Sequence, residues 1–403
     1  MERIVILVSH PIPYQAPLFR LLAADSSVQL SVLFCWQAPG TGQYFDKEIG
    51  ENIDWGADVL GGYSYRFLRN WSWRPSSEFW GQMNFGIISE IRKNKLDAVV
   101  IFGWNSFTNW LAFFTAFITN TKVFLRGESP LNQELLKAPW KLVIKKLIFK
   151  PLFRHMSAFL YIGEENRKFY KYYGVPDEKL FFVPYAVDNE RFMKMAKELK
   201  PKRSELRKKL LNIADDRPII LFLGKLIEKK RPMDLLKAFE ILHTKYNILN
   251  TDLVFVGDGA LRPNLEMYVK ERDLKGVHFA GFKNQTEIPE YYAMADVFVL
   301  PSGPGETWGL VVNEAMCFGL PVIVSDMVGC GPDLVRNGKN GFIFPLGDVG
   351  KLAGFLYQAI SSGQNNKSFE IISPVIVGKY SYTTNINELR RVLNNHPGFY
   401  KFQ

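Results

Sequence analysis

Along this chain short apolar runs alternate with longer stretches in which apolar residues recur every three or four positions. The runs at 4–8, 28–34, 97–102 and 122–125 read as strands, and the segments 18–24, 85–93 and 108–117 between them read as amphipathic helices. A highly charged stretch from Lys194 to Lys209 follows, and then the pattern becomes regular. Strands are predicted at 218–223, 252–256, 277–279, 296–300 and 321–325, with helices at 232–245, 261–272, 287–294 and 309–318. That repeat predicts a second α/β domain with a parallel, doubly wound sheet. The opening strand, loop, helix and strand are Rossmann-like, but the loop lacks G-x-G-x-x-G, so a dinucleotide cofactor is not supported.

The residues with the most chemistry sit where predicted strands end, which is where open α/β sheets bind ligands. After 296–300 comes a Gly/Pro-rich loop with Glu306, then a helical pattern with Glu314 eight positions on. On a wheel of about 100° per residue, Val311, Val312, Ala315, Met316 and Phe318 form an apolar face and Glu314 falls opposite, pointing away from the core. Either acid alone reads as solvated. Together, the start of the helix offers amides to an anion, and Glu314, roughly 7 Å further along, suits two vicinal hydroxyls. Gly224-Lys225 to Lys230-Arg231 ends the strand at 218–223 and leads into Pro232. Such a loop either cradles a diphosphate or is simply a solvated basic loop. Gly257-Asp258-Gly259 and Gly281-Phe282 are further strand-end turns against which a base can lie. In the first half the strand ends carry His10, either a cleft residue or a turn residue before Pro11, and Arg126-Gly127-Glu128-Ser129. The tract from Tyr44 to Trp80 has no clear assignment, and its Trp71 and Trp73 read as packing or as a substrate platform.

With 403 residues, 47% apolar and 22% charged, the chain has the composition of two folded domains. Its net charge of +10 suits nucleic acid, an anionic membrane or a phosphorylated substrate. Much of the excess lies in 137–171, where Lys137, Lys141, Lys145, Lys146, Lys150 and Arg154 interleave with a stripe of Trp140, Val143, Ile144, Leu147 and Ile148. This is either an interfacial helix facing an anionic membrane surface or a surface helix docked by its stripe. No nucleic-acid motif accompanies the charge. Three cysteines without metal or redox spacing fit a reducing, cytoplasmic setting. The apolar run at 4–8 is too short for a signal-peptide core, and the nine residues 110–118 are too short to span a bilayer.

The ordered set of Gly224-Lys225 with Lys230, Gly257-Asp258-Gly259, Ala295-Asp296 to Pro301-Ser302, the E-x7-E pair Glu306 and Glu314 followed by Ala315-Met316, and Asn340-Gly341 resembles the retaining glycosyltransferases of family 4. His10-Pro11 to Phe19 and Val183-Pro184 to Phe192 are similar to that family's opening loop and domain-exit segment. The resemblance implies a GT-B fold, two Rossmann-like doubly wound domains facing across a cleft. It places an acceptor-binding domain at 1–192, a linker at 193–216, a nucleotide-sugar-binding domain at 217–370 and a segment crossing back at 371–403. It implies that Lys225 and Lys230 hold the diphosphate, Glu314 the ribose and Glu306 the transferred sugar. The amides of Gly309 and Leu310 then lie near sugar and phosphate, with Gly224 in the same loop and Phe282 beside the base. Arg126, Glu128 and His10 are further substrate-binding candidates in the first domain, with Glu128 placed to orient the acceptor. Lys225 stands where the family commonly has arginine, the opening loop lacks the usual Gly-Gly pair, and 126–129 lies where many members carry a histidine.

The implied partners are a nucleoside diphosphate sugar and a lipid-linked or saccharide acceptor, at the inner face of the cell membrane. No cofactor is implied, and no carboxylate cluster suited to a metal stands out. A nucleotide-sugar epimerase of related fold and a non-catalytic GT-B binding subunit are the rival readings.

Overall fold

The computed structural model describes residues 1–36, 43–46, 51–54, 58–213, 216–361 and 367–395. The chain divides into one unit of Met1–Tyr44, Ala57–Pro184 and Tyr382–Gln403, and a second of Phe45–Gly56 and Tyr185–Ser381. Two short strands, β3 (Gln43–Asp46) and β4 (Glu51–Asp54), form a two-stranded sheet.

The first unit is built on a seven-stranded sheet of β1 (Glu2–Val8), β2 (Val28–Phe34), β5 (Tyr65–Phe67), β6 (Ala98–Phe102), β7 (Lys122–Arg126), β8 (Ala158–Tyr161) and β9 (Leu180–Phe182). Their order is β5-β2-β1-β6-β7-β8-β9, with every pair parallel. Side chains of β1 alternate between two cores: Val5 and Leu7 join one, Ile4, Ile6 and Val8 the other. A strand covered on both faces needs no polar positions, which is why it reads as an unbroken apolar run. The first core takes residues from helices Gly86–Lys93, Phe107–Ile118, Pro139–Arg154 and Glu164–Tyr172. Helices Ala16–Ala23 and Tyr382–Asn395 close the other, the latter through Ile386, Leu389, Val392 and Leu393.

The second unit has a six-stranded sheet of β10 (Ile219–Leu223), β11 (Asp252–Val256), β12 (Val277–Gly281), β13 (Val297–Leu300), β14 (Val322–Ser325) and β15 (Gly341–Phe344). The order is β12-β11-β10-β13-β14-β15, again parallel. Helices Pro232–Thr244, Arg262–Glu271 and Val349–Ser361 share its main apolar core. The charged stretch after Phe192 is largely helical, as Asn189–Leu199 and Arg203–Leu211. It is tied down by Arg207, 1% exposed, which donates to Met294 O at 3.1 Å and to Asp296 Oδ2 at 2.7 Å.

Each sheet winds outward from one central pair, β1 with β6 and β10 with β13. At such a switch point consecutive crossovers diverge and leave a crevice at the carboxyl ends of the strands. The regular repeat from 218 to 325 matches the sequence reading within one or two residues at each element. Strands β5, β8, β9 and β15 were not read. Each has three or four residues, too few for a period to register. Of the unassigned tract from Tyr44, residues 47–50 and 55–57 lie outside the described residues.

Leu389, 7% exposed, fills the first unit's core from a helix distant in sequence. Leu389→Ala is expected to lower that unit's stability by about 2–4 kcal/mol, read as a lower midpoint in chemical denaturation. An unchanged midpoint would show that the helix contributes nothing to this core.

Candidate functional site

At the second switch point the loops leaving β10 and β13 meet. Past Leu223 the chain stays beside β11: Gly224 N donates to Val256 O and Leu226 N to Asp258 O, each at 2.9 Å. The approach is so close that a Cβ on Gly257, at φ +132°, would lie 2.0 Å from Gly224 O, which only glycine avoids. A tight 3-10 turn, Glu228–Lys230, and Arg231 in the left-handed region then swing the chain into the helix at Pro232. Gly303 N donates to Lys229 O at 2.8 Å and Lys229 Nζ to Gly305 O at 3.2 Å, which binds the loop after β13 onto this basic turn. In consequence Lys230 Nζ donates to Glu306 Oε2 in a close ion pair, the side chains 16% and 10% exposed.

The loop with Glu306 is also held from the far side. Gly329 N donates to Glu306 O at 3.1 Å and Cys330 N to Trp308 O at 3.0 Å. A Cβ on Gly329 would lie 1.9 Å from Thr307 O, so this contact too requires glycine. Gly309 precedes the helix Leu310–Cys317, whose N-terminus no side chain caps. Glu314 is buried where the helical wheel leaves it exposed. It does not point to solvent: it is 0% exposed, and the Tyr292 hydroxyl donates to its Oε2 at 2.8 Å. Asn313 and Cys317, on the same face of the helix as Glu314, are buried as well. The wheel assumed one buried face, whereas this helix is packed on nearly every side.

Lys225 and Phe282 are half-buried at the ends of β10 and β12, the same rim as the ion pair. Sequence reasoning passed over Tyr292, Trp308, Gly303 and Gly329. Their roles come from contacts between residues far apart in sequence, which no local pattern signals.

In the first unit His10 ends β1 at the other switch point. Ser9 Oγ lies 2.9 Å from its Nδ1, its ring meets Trp36 edge-on, and burial lowers its pKa. Glu128 is half-buried after β7. Arg126 is 5% exposed and donates from Nη1 to Val183 O at 2.8 Å. The three cysteines are buried, and burial raises each thiol, Cys35 to about 12, which leaves them poor nucleophiles. Among the described residues no group of three or more His, Cys, Asp or Glu is arranged to hold a metal ion.

The basic helix Pro139–Arg154 is not docked by its apolar stripe. Trp140, Val143, Ile144, Leu147 and Ile148 are 61%, 59%, 49%, 72% and 46% exposed. The docked face is Leu142, Lys145, Phe149, Leu152 and Phe153. Lys145 Nζ lies 4.9 Å from the Phe149 and Phe169 rings, 5.5 Å from Tyr173 and 5.7 Å from Trp104. It also pairs at 2.8 Å with Glu134, itself 3% exposed and bonded to Lys137 and the Tyr173 hydroxyl. Burial lowers the Lys145 pKa; it would raise that of Glu134, but the bonds from Lys137 and Lys145 bring the net shift down. Lys141, Lys146, Lys150 and Arg154 are exposed beside the stripe, and the helix has no acidic residue. No helix among the described residues is long and apolar enough to cross a membrane.

Residues 203–372 match the family described as Glycosyl transferases group 1. An amylovoran biosynthesis glycosyltransferase, AmsK of Erwinia amylovora, is 30% identical over 222 residues, 53% of this chain and 49% of the relative. The UDP-Gal:alpha-D-GlcNAc-diphosphoundecaprenol alpha-1,3-galactosyltransferase of Escherichia coli is 31% identical over 173 residues, 42% of each chain. This chain thus spans less than half the length of either relative. The solved structure of Anabaena HepE in complex with UDP and glucose covers 98% of this chain and 100% of its own, with a TM-score of 0.70 at 17% identity. Residues 203–372 are thus similar to the glycosyl transferases group 1 family, and the chain has the GT-B fold.

Proposed function

We propose that this chain transfers a sugar, with retention at the anomeric carbon, from a nucleoside diphosphate sugar to an acceptor hydroxyl. The observation that carries this reading is the Lys230–Glu306 pair at the switch point of the second sheet. A cation and a carboxylate held together at a strand-end crevice can part to receive a ligand that presents both a diphosphate and sugar hydroxyls. Lys230 and Lys225 then face the diphosphate, assisted by the uncapped start of the helix at Leu310. Glu306 accepts hydrogen bonds from the sugar hydroxyls. Glu314, its carboxylate oriented by Tyr292, takes the ribose.

In the reaction the bond from the anomeric carbon to the β-phosphate oxygen breaks, and a bond to the acceptor oxygen forms on the same face. The acceptor proton passes to an oxygen of the departing diphosphate, whose growing charge the two lysines stabilise. The named donor of the Escherichia coli relative and the UDP in the HepE structure support a nucleotide-sugar donor, and that relative's diphosphoundecaprenol acceptor and the amylovoran enzyme support surface polysaccharide assembly on a lipid carrier. The acceptor side falls to the first unit, with His10 and Glu128 as candidate contacts. The helix Pro139–Arg154, apolar stripe outward and flanked by cations, suits the inner face of an anionic membrane.

Three outcomes are expected. Glu306→Ala lowers turnover by at least roughly 100-fold while calorimetry still detects nucleotide binding; full turnover in that variant would refute the assignment. Glu314→Gln weakens nucleotide affinity by roughly 10- to 100-fold through the loss of a charged hydrogen bond, and an unchanged affinity would remove Glu314 from the ribose. In flotation assays the chain rises with vesicles containing an anionic phospholipid and not with neutral ones. Leu147→Glu cuts that binding by more than about tenfold, whereas recovery with neither lipid would argue for a soluble acceptor, and equal recovery with both would refute the role of the cations.

A further inference from the structure

Apart from the short excursion Phe45–Gly56, the chain makes two crossings, entering the second unit at Tyr185 and leaving it at Ser381. Rings beside both crossings close on a single side chain. The indole of Trp308 lies 6.1 Å from the Tyr185 ring and 5.6 Å from the Tyr380 ring, tilted by 36° and 38°. Trp308 is 2% exposed, and its Nε1–H donates to Asn313 Oδ1 at 2.9 Å, so one ring orientation is selected from within the helix Leu310–Cys317.

The crossings are also tied to each other. Asn189 Nδ2 donates to the carbonyls of Val377 and Tyr380 at 3.1 Å and 3.2 Å, and the Tyr380 hydroxyl donates to Asp333 Oδ1 at 3.1 Å. Trp308 stands two residues after Glu306, and its partner Asn313 immediately precedes Glu314. The ring that both crossings touch is therefore part of the loop that sets the two carboxylates. In a close-packed interior a displacement at one side of such a ring is transmitted to the other rather than absorbed.

We propose, resting on the donor reading above, that Trp308 is a positioning residue that couples the setting of Glu306 to the two chain crossings. A nucleoside diphosphate that orders the Glu306 loop then also orders 185–189 and 377–381, and a disturbance at the crossings misplaces Glu306.

The test is hydrogen exchange on the full chain with UDP as the probe, with steady-state kinetics alongside. In the wild type UDP slows exchange at 228–231 and at both crossings. Trp308→Phe, which keeps the ring contacts, retains this response. Trp308→Leu loses the response at the crossings while keeping it at 228–231, and its kcat falls roughly 10- to 100-fold with the donor KM within about threefold. Tyr185→Ala, which alters a crossing and leaves the loop's sequence intact, lowers kcat in the same way. Crossings that still respond to UDP in the Leu variant, or wild-type kcat in Tyr185→Ala, would overturn the coupling. If the wild type binds no UDP at all, the donor reading fails separately. Ligand-free exchange then decides: Trp308→Leu loosening 303–306 together with both crossings supports the coupling, and loosening of only one of these overturns it.

Discussion

The adjacency of β10 and β13 is the constraint on which the second unit's chemistry depends. A parallel sheet that winds outward in both directions has one pair of neighbours whose crossovers part, and only there do two strand-end loops face each other uncovered. The chain uses that position to bring Lys230 to Glu306 across 76 residues of sequence. A largely buried ion pair is a poor stabilising device, because desolvation of both charges offsets most of their attraction. Its value lies in exchangeability. Each charge satisfies the other, and under the proposed function a ligand with matching groups replaces either partner without stranding the one left behind.

The close backbone contacts around that pair follow from the same need. Gly257 and Gly329 let neighbouring loops approach to distances no side chain tolerates, and the hydrogen bonds made there hold Glu306 from two sides. The loop is irregular in conformation yet fixed in place, a combination that suits a group required to hold one orientation, as the proposed role of Glu306 demands.

The sequence made much of this legible, for identifiable reasons. The strands from 219 to 325 are buried on both faces and separated by full-length helices, so period and run length agree. Lys230 and Glu306 stood out because charged residues at strand ends are informative in an open α/β sheet. The setting of Glu314 was hidden because a helical wheel carries no knowledge of how many neighbours surround a helix. The outward stripe of Pro139–Arg154 was hidden for a related reason. The helix docks by a different face, Phe149, Leu152 and Phe153 with Lys145 enclosed by four rings and paired with Glu134, and the stripe is left outside. Trp308 draws its meaning from Tyr185 and Tyr380, and no local pattern announces contacts over such separations.

The helix Tyr382–Asn395 completes a core that otherwise consists of residues from the first half of the chain. During synthesis the ribosome delivers the whole of 185–381 before that helix emerges, so the second unit can finish folding first although it is encoded later. Until then Ile4, Ile6, Val28 and Leu30 lack part of their cover. The nascent first unit is thus exposed to aggregation for the time it takes to translate the second, and a pause or premature stop within 185–381 would leave an apolar sheet face open instead of a finished domain.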